Sequence, residues 1–191
     1  MVEGLKNNAW KKRREKWEAL VEQEIASLKT SIEELSDNEN FATMIVKTTE
    51  LAMKTSKEEK LKYLASALKG SISTNLSEDK MIIFMALLEK YTVSHIRLLS
   101  FFRDPKEYIG IEIEPCGNKK DRYDYEKKHK DYFLLMHKNI VEIFDKCYED
   151  LYSDGMISED SRSSGNGAVS KKITTILGEE FLMLIQERGN G

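Results

Sequence analysis

The chain has 191 residues, of which 40% are hydrophobic and 33% are charged, so it can form one large domain or two small domains with a packed core. Its 30 basic and 33 acidic residues leave a net charge of −3, which gives no overall attraction to nucleic acid or anionic lipid. The sequence shows no signal-peptide pattern and no run of about 18 apolar residues, which predicts a cytoplasmic protein with reduced cysteines.

The first half of the chain is predicted to be helical. Residues 4–36 carry apolar side chains at alternating spacings of four and three, which favours one long amphipathic helix. The apolar stripe is either a coiled-coil seam between chains or the side that packs on the chain's own body, and fewer than three clean heptads favour the second. The stripe and the two tryptophans before it form a candidate interaction helix: Trp10, Trp17, Val21, Ile25, Leu28 and Ile32.

Three further helices are predicted before residue 90. Ser36 with Glu39 and Ser56 with Glu59 match the S-x-x-E capping box, and Ser77 is a third candidate N-cap. Because only short polar turns separate these helices, the first half is expected to form a helical bundle or a helical arm.

The second half of the chain mixes helical spacing with short strand patterns. A helix is predicted from Thr92 to the Asp104-Pro105 pair, and the alternation of isoleucines over residues 109–113 then predicts a short strand. Two further strand candidates, residues 156–158 and 169–176, flank a loop rich in glycine and serine. Together they predict a small β-hairpin, which a last helix follows.

Two segments resemble a winged helix-turn-helix domain. Leu151–Ile157 (LYSDGMI) resembles the end of its third helix, where a glycine and a hydrophobic pair lead into the wing, and Ile173–Ile185 (ITTILGEEFLMLI) resembles the strand that leaves the wing and the closing helix. The resemblance covers about half the chain and implies a winged-helix-like domain over residues 91–187. The other half, residues 1–90, resembles helical segments of uncharacterised bacterial proteins, which implies no activity.

The expected fold is therefore mainly α, with a helical bundle or arm followed by a winged-helix-like domain with a small β-hairpin. In winged helices the helix before the wing enters the DNA major groove. Here that helix would span residues 139–154, whose five acidic residues and one basic residue disfavour contact with a polyanion. The alternative is a DNA-binding transcriptional regulator that contacts DNA through the basic segment 119–138 and the wing. The candidate contact residues are Lys119, Lys120, Arg122, Lys127, Lys128, Lys130, Arg162, Lys171 and Lys172.

The N-terminal helix offers another candidate surface. Trp10, Arg13, Arg14 and Trp17 lie on one helical side, as in helices that bind an acidic partner or an anionic membrane. The alternative, which we favour, is that the tryptophans pack on the body while the basic residues face water. A membrane surface is the disfavoured partner.

Neither catalytic nor metal-binding motifs are found. His129 and His137 have no histidine or cysteine three or four residues away, so no metal or cofactor is expected, and His95 is expected to serve the first turn of its own helix. A catalytic site assembled from distant residues would not be visible at this level. The sequence predicts a non-enzymatic regulatory or adaptor protein that binds a protein partner or a second copy of itself.

Overall fold

A computed structural model of the chain describes residues 2–28, 35, 37–74, 76–110, 130–158 and 173–186, apart from the side chains of residues 2, 4–6 and 109. The described part is 83% helical and contains no strand, which confirms the mainly α prediction. The helices in chain order are α1 (Val2–Ser27), α2 (Glu39–Lys54), α3 (Glu58–Ser73), α4 (Glu78–Lys90), α5 (Val93–Arg103), α6 (Pro105–Ile109), a 3₁₀ helix (Lys138–Ile143), α7 (Phe144–Ser153) and α8 (Ile176–Ile185). Residues 130–136 are helical as well.

The chain divides into two compact units, of which the first takes in Met1–Val93 and Met183–Gly191 and the second Ser94–Leu182. In the first unit α1 packs on α2 and α3, and α2 packs on α3 and α4. The buried side chains of α2 recur every three or four residues, as the apolar periodicity predicts. They are Phe41, Met44, Thr48 and Ala52.

Aromatic side chains form much of the core of the second unit. The ring of Phe133 lies 5.3 Å from that of Phe101 in α5, 5.9 Å from that of Phe144 in α7 and 4.7 Å from that of His137. Close tilted ring pairs of this kind add to the free energy gained by burying their area. Gly155, which follows α7, has a φ of +71°, a left-handed conformation that strains other residues. This confirms that a glycine ends the helix before the predicted wing.

Two of the predicted helix starts in the first unit are wrong. The N-cap of α2 is Asn38 rather than Ser36, and its side chain accepts a hydrogen bond from the N–H of Phe41 at 3.0 Å. Lys57, rather than Ser56, occupies the N-cap position of α3 and makes no side-chain capping bond. Asparagine and serine cap equally well, so the S-x-x-E pattern could not choose between adjacent candidates.

Of the other predicted helix ends in the first unit, one is confirmed and one is wrong. Ser77 is confirmed as the N-cap of α4, because its hydroxyl accepts a hydrogen bond from the N–H of Lys80 at 3.4 Å. The single helix predicted over residues 4–36 is wrong, since α1 ends at Ser27. Most of the predicted continuation, residues 29–34 and 36, lies outside the described residues, and Ile32 with it.

The first predicted strand of the second unit is also corrected. Ile109 ends the short helix α6, which Asp104 caps by accepting a hydrogen bond from the N–H of Glu107 at 2.9 Å. The Asp-Pro pair therefore ends one helix and begins the next, because proline is well suited to the first helical turn. Gly110 then ends α6 with a φ of +70°. The rest of that predicted strand, residues 111–113, lies outside the described residues.

The expected winged-helix domain with a β-hairpin is wrong for the part of the chain that the structure describes. The residues predicted to pair as strands form a single antiparallel bridge, between Ile157 and Thr174. On the side of Thr175 the pairing ends because α8 begins at Ile176, and the hydroxyl of Thr175 accepts a hydrogen bond from the N–H of Gly178 at 3.1 Å. Residues 169–172 of the predicted second strand lie outside the described residues.

Candidate functional site

Arg13 and Trp17 hold α1 against α2. The indole Nε1 of Trp17, a side chain only 3% exposed, donates a hydrogen bond to Oγ1 of Thr49 at 2.9 Å. The guanidinium of Arg13 donates one to the carbonyl oxygen of Met53 at 2.8 Å. As the chain goes back from Trp17 to Arg13 in α1, its partners advance from Thr49 to Met53 in α2. The two helices are therefore antiparallel.

Trp10 lies on the same side of α1 as Arg13 and Trp17, at helical spacings of three and seven residues, yet its side chain is 59% exposed. The reason is that α2 ends at Lys54, next to the level of Arg13, and therefore stops short of Trp10. α3 also stops short of Trp10, because its first residue, Glu58, pairs with Lys16 of α1 at 3.8 Å. The stripe that packs on the body thus continues along α1 beyond the end of both neighbours.

The charge around Trp10 is strongly positive. Residues 6–14, which we call the Trp10 segment, contain five basic residues and no acidic residue. Lys11 and Arg14 pair within α1 with Glu15 at 4.0 Å and with Glu18 at 2.7 Å, and all four of these side chains are exposed. Exposed pairs of this kind contribute little free energy and open readily. Tryptophan and arginine are among the residue types that carry most of the binding energy in protein interfaces.

The other residues of the predicted interaction helix face the chain's own body to differing degrees. Val21, Ile25 and Leu28 are half-buried, and Ile32 lies outside the described residues. Nearby, Glu24 pairs with Lys69 of α3 at 3.8 Å. This part of α1 is therefore engaged within the first unit, and Trp10 is the exposed one among the described members of the predicted set.

The second unit carries a surface of the opposite charge. Its side chains recur at spacings of three and four along the 3₁₀ helix and α7, so they share one side. Tyr152 is 46% exposed and Val141 is 52% exposed, and the three carboxylates are exposed as well. We call this surface the acidic face: Val141, Glu142, Asp145, Glu149 and Tyr152.

Lys130 is the member of the proposed DNA-contacting set that lies within the described residues. Its ammonium pairs with Asp145 at 2.5 Å and lies 5.0 Å from the centroid of the Phe144 ring. This lysine is therefore engaged with the acidic face of its own unit. The other members lie outside the described residues: Lys119, Lys120, Arg122, Lys127, Lys128, Arg162, Lys171 and Lys172.

A buried thiol–imidazole–carboxylate chain joins α5 to α7, and sequence reasoning missed it. Nδ1 of His95 lies 3.6 Å from Sγ of Cys147, and Nε2 of His95 lies 3.3 Å from Oδ2 of Asp150. His95 was expected to serve the first turn of its own helix, and these two contacts join it to a different helix as well. Burial raises the pKa of Cys147 to about 11, so its sulfur is held as a thiol rather than as a nucleophilic thiolate.

Lys60 is a second buried polar residue that sequence reasoning missed. Its ammonium donates hydrogen bonds to the carbonyl oxygens of Leu88, at 2.6 Å, and of Tyr91, at the C-terminal end of α4. Lys60 is 8% exposed, and burial lowers its pKa to about 8. The last carbonyls of a helix have no partner within it and attract a cation, so Lys60 caps α4 from α3.

Both missed groups had a signal in the sequence. Lys60 precedes Leu64 by one helical turn, and His95 precedes Leu99 in the same way, so the apolar period places each on a buried side. The helical period could not predict the hydrogen-bond partners of Lys60 and His95, because those partners lie on helices that are distant in sequence.

Comparisons with protein-family models, with curated proteins and with solved structures found no match for the chain. None of the helices that the structure describes is apolar over a sufficient length to cross a lipid bilayer. Within the same described residues, no three histidine, cysteine, aspartate or glutamate side chains come together as a metal site would require.

Proposed function

We propose that the protein is a non-enzymatic regulatory or adaptor protein that binds an acidic protein surface through the Trp10 segment. The observation that carries the proposal is the exposure of Trp10 on the packing stripe of α1, beyond the ends of α2 and α3. Trp10 exposes a large apolar area to water in this position. A partner that covers the indole gains the free energy of burying that area.

The charge of the segment selects the kind of partner. Five cations within four residues of Trp10 favour a surface that offers carboxylates around an apolar pocket, and they repel a basic one. The attraction between exposed charges is screened over about 8 Å at physiological ionic strength. Binding is therefore expected to weaken as salt is added, while the contribution of the indole remains.

DNA is the competing ligand, and the acidic face argues against it. Glu142 and Glu149 are exposed and make no ion pair with another described residue, and Lys130, the described member of the proposed DNA-contacting set, is already paired with Asp145. A duplex would have to displace that pair and accept the neighbouring carboxylates against its phosphates.

A titration of the full chain separates these ligands. The probe is a random copolymer of glutamate and tyrosine, compared at low salt with duplex DNA and with vesicles of anionic lipid. Tryptophan emission is recorded for the wild type and for Trp10→Phe, so that the difference reports on Trp10 alone. We expect the copolymer to shift the emission of Trp10 to shorter wavelength, as burial of an exposed indole does.

Two charge variants complete the experiment. Lys11→Glu with Lys12→Glu should weaken copolymer binding on the order of tenfold, whereas Lys47→Glu with Lys57→Glu, an equal change at exposed positions outside α1, should leave it nearly unchanged. An unchanged Trp10 emission with the copolymer, or a stronger response to duplex DNA or to vesicles, would refute the proposed function.

A further inference from the structure

We propose that the acidic partner of the Trp10 segment is a second copy of this chain, which presents its acidic face. The inference rests on the proposed function and adds the identity of the partner. It is carried by the presence, on one chain, of two exposed surfaces of opposite charge, each with exposed apolar side chains.

The two surfaces are complementary in composition. The Trp10 segment offers one large indole among five basic residues. The acidic face offers Tyr152 and Val141 beside exposed carboxylates, of which Glu142 and Glu149 make no ion pair with another described residue. Tyrosine and tryptophan are enriched where protein surfaces meet, because their rings bury area at small entropic cost.

Charge also decides how two copies would be arranged. Two Trp10 segments repel each other, and so do two acidic faces, which disfavours an interface that pairs a surface with itself. The favoured contact is head to tail, with the Trp10 segment of one copy on the acidic face of the next. Contacts of that kind close into a ring or extend into an open chain of copies.

The size of the surfaces sets the expected strength. A segment of nine residues buries less than the roughly 800 Å² per partner of a stable interface, so association should be weak and concentration-dependent. It should also be sensitive to salt, because the charges involved are exposed. Sedimentation equilibrium at high protein concentration and low salt is therefore the suitable measurement.

The test uses two variants of the full chain. One lowers the charge of the Trp10 segment from +5 to +1, with Lys11→Glu and Lys12→Glu, and the other reverses the charge of the acidic face from −3 to +1, with Glu142→Lys and Glu149→Lys. Each variant alone should associate on the order of tenfold more weakly than the wild type. An equimolar mixture should recover association, because the unaltered Trp10 segment of the second variant then meets the unaltered acidic face of the first.

The control is the Lys47→Glu, Lys57→Glu variant, which should associate like the wild type, and far-ultraviolet circular dichroism verifies that every variant is folded. A wild type that stays monomeric at low salt, or a mixture that associates no better than its components, would overturn self-association. The proposed function would then still stand on copolymer binding by Trp10. Loss of copolymer binding, together with self-association that Lys11→Glu with Lys12→Glu leaves unchanged, would contradict the proposed function, because the chain would then associate without the Trp10 segment.

Discussion

Gly70 of α3 lies directly against the backbone carbonyl group of Leu184 in α8, with no room between them for a side chain. A Cβ atom at position 70 would overlap the carbonyl oxygen and crowd the carbonyl carbon and Cα of Leu184. Because the obstacle is helix backbone, it cannot be relieved by a change of rotamer. The absence of a side chain at Gly70 therefore sets how closely the backbone at Leu184 approaches α3 within the first unit.

Gly70→Ala should destabilise the protein even though alanine is the better helix former. The gain in helix propensity is about 1 kcal/mol, and overpacking against backbone should exceed it, leaving a net loss of about 2 kcal/mol. Urea denaturation followed by circular dichroism measures the change. Lys62→Ala, at an exposed position of the same helix, is the matched control and should alter stability by less than about 0.5 kcal/mol. A Gly70→Ala midpoint at or above that of the wild type would contradict this account of the contact.

Lys60 makes stability depend on pH in a defined direction. Its pKa is about 8 in the folded chain and returns to its ordinary value near 10.5 on unfolding. Between these pH values the unfolded chain binds more protons than the folded chain, so the free energy of unfolding rises with pH. The full rise attributable to Lys60 is about 3 kcal/mol, and it should be complete above pH 10.5.

Lys60→Met isolates this contribution from other titrating groups. The difference in unfolding free energy between wild type and Lys60→Met should grow in favour of the wild type between pH 7 and pH 11. Urea denaturation at several pH values measures it, with Lys62→Met as the exposed control that should show no such trend. A difference that is flat across this pH range would show that Lys60 keeps its ordinary pKa.

Cys147 should resist alkylation in the folded protein. Its side chain is 1% exposed and its pKa is about 11, so roughly one molecule in a thousand carries the thiolate at pH 8. Mass spectrometry of the peptide that contains Cys147, after timed exposure to iodoacetamide, should show modification only as fast as the protein unfolds. Rapid modification under native conditions would instead indicate a reactive thiol activated by His95.

Local patterns predicted much of the helical framework but not the contacts between its parts. The apolar residues Phe41, Met44 and Ala52 lie on the buried side of α2 because a helix repeats every 3.6 residues. The same reasoning placed Trp10 and Trp17 on one side of α1. It could not show that Trp10 would remain exposed, because this depends on where α2 ends along α1.

The wrong predictions arose where neighbouring patterns compete. The wing was predicted from extended residues on both sides of a loop, yet Thr175 begins a helix directly after the bridge residue Thr174. The contact between His95 and Asp150, 55 residues apart, was out of reach because no local spacing encodes it. The charges of the two surfaces of the proposed interaction were easier to recognise, since charge is read directly from the sequence.

Thr174 and Thr175 are adjacent threonines whose hydroxyl groups differ in hydrogen bonding. Oγ1 of Thr174 is buried and has no hydrogen-bond partner among the described residues, which costs free energy relative to hydration. Oγ1 of Thr175 donates to the carbonyl oxygen of Gly155 at 2.6 Å and accepts from the N–H of Gly178 at 3.1 Å. Removing the first hydroxyl should therefore help, and removing the second should harm.

Thr174→Val keeps the shape of the side chain, including the methyl group that packs near Gly178, and should stabilise the protein by about 1 kcal/mol. Thr175→Val removes the N-cap of α8 and should cost about 1–2 kcal/mol. Thermal unfolding of the two variants beside the wild type should therefore shift the midpoint in opposite directions. If both variants were destabilised to a similar degree, the hydroxyl of Thr174 would have a partner in the folded chain, and its burial would be stabilising after all.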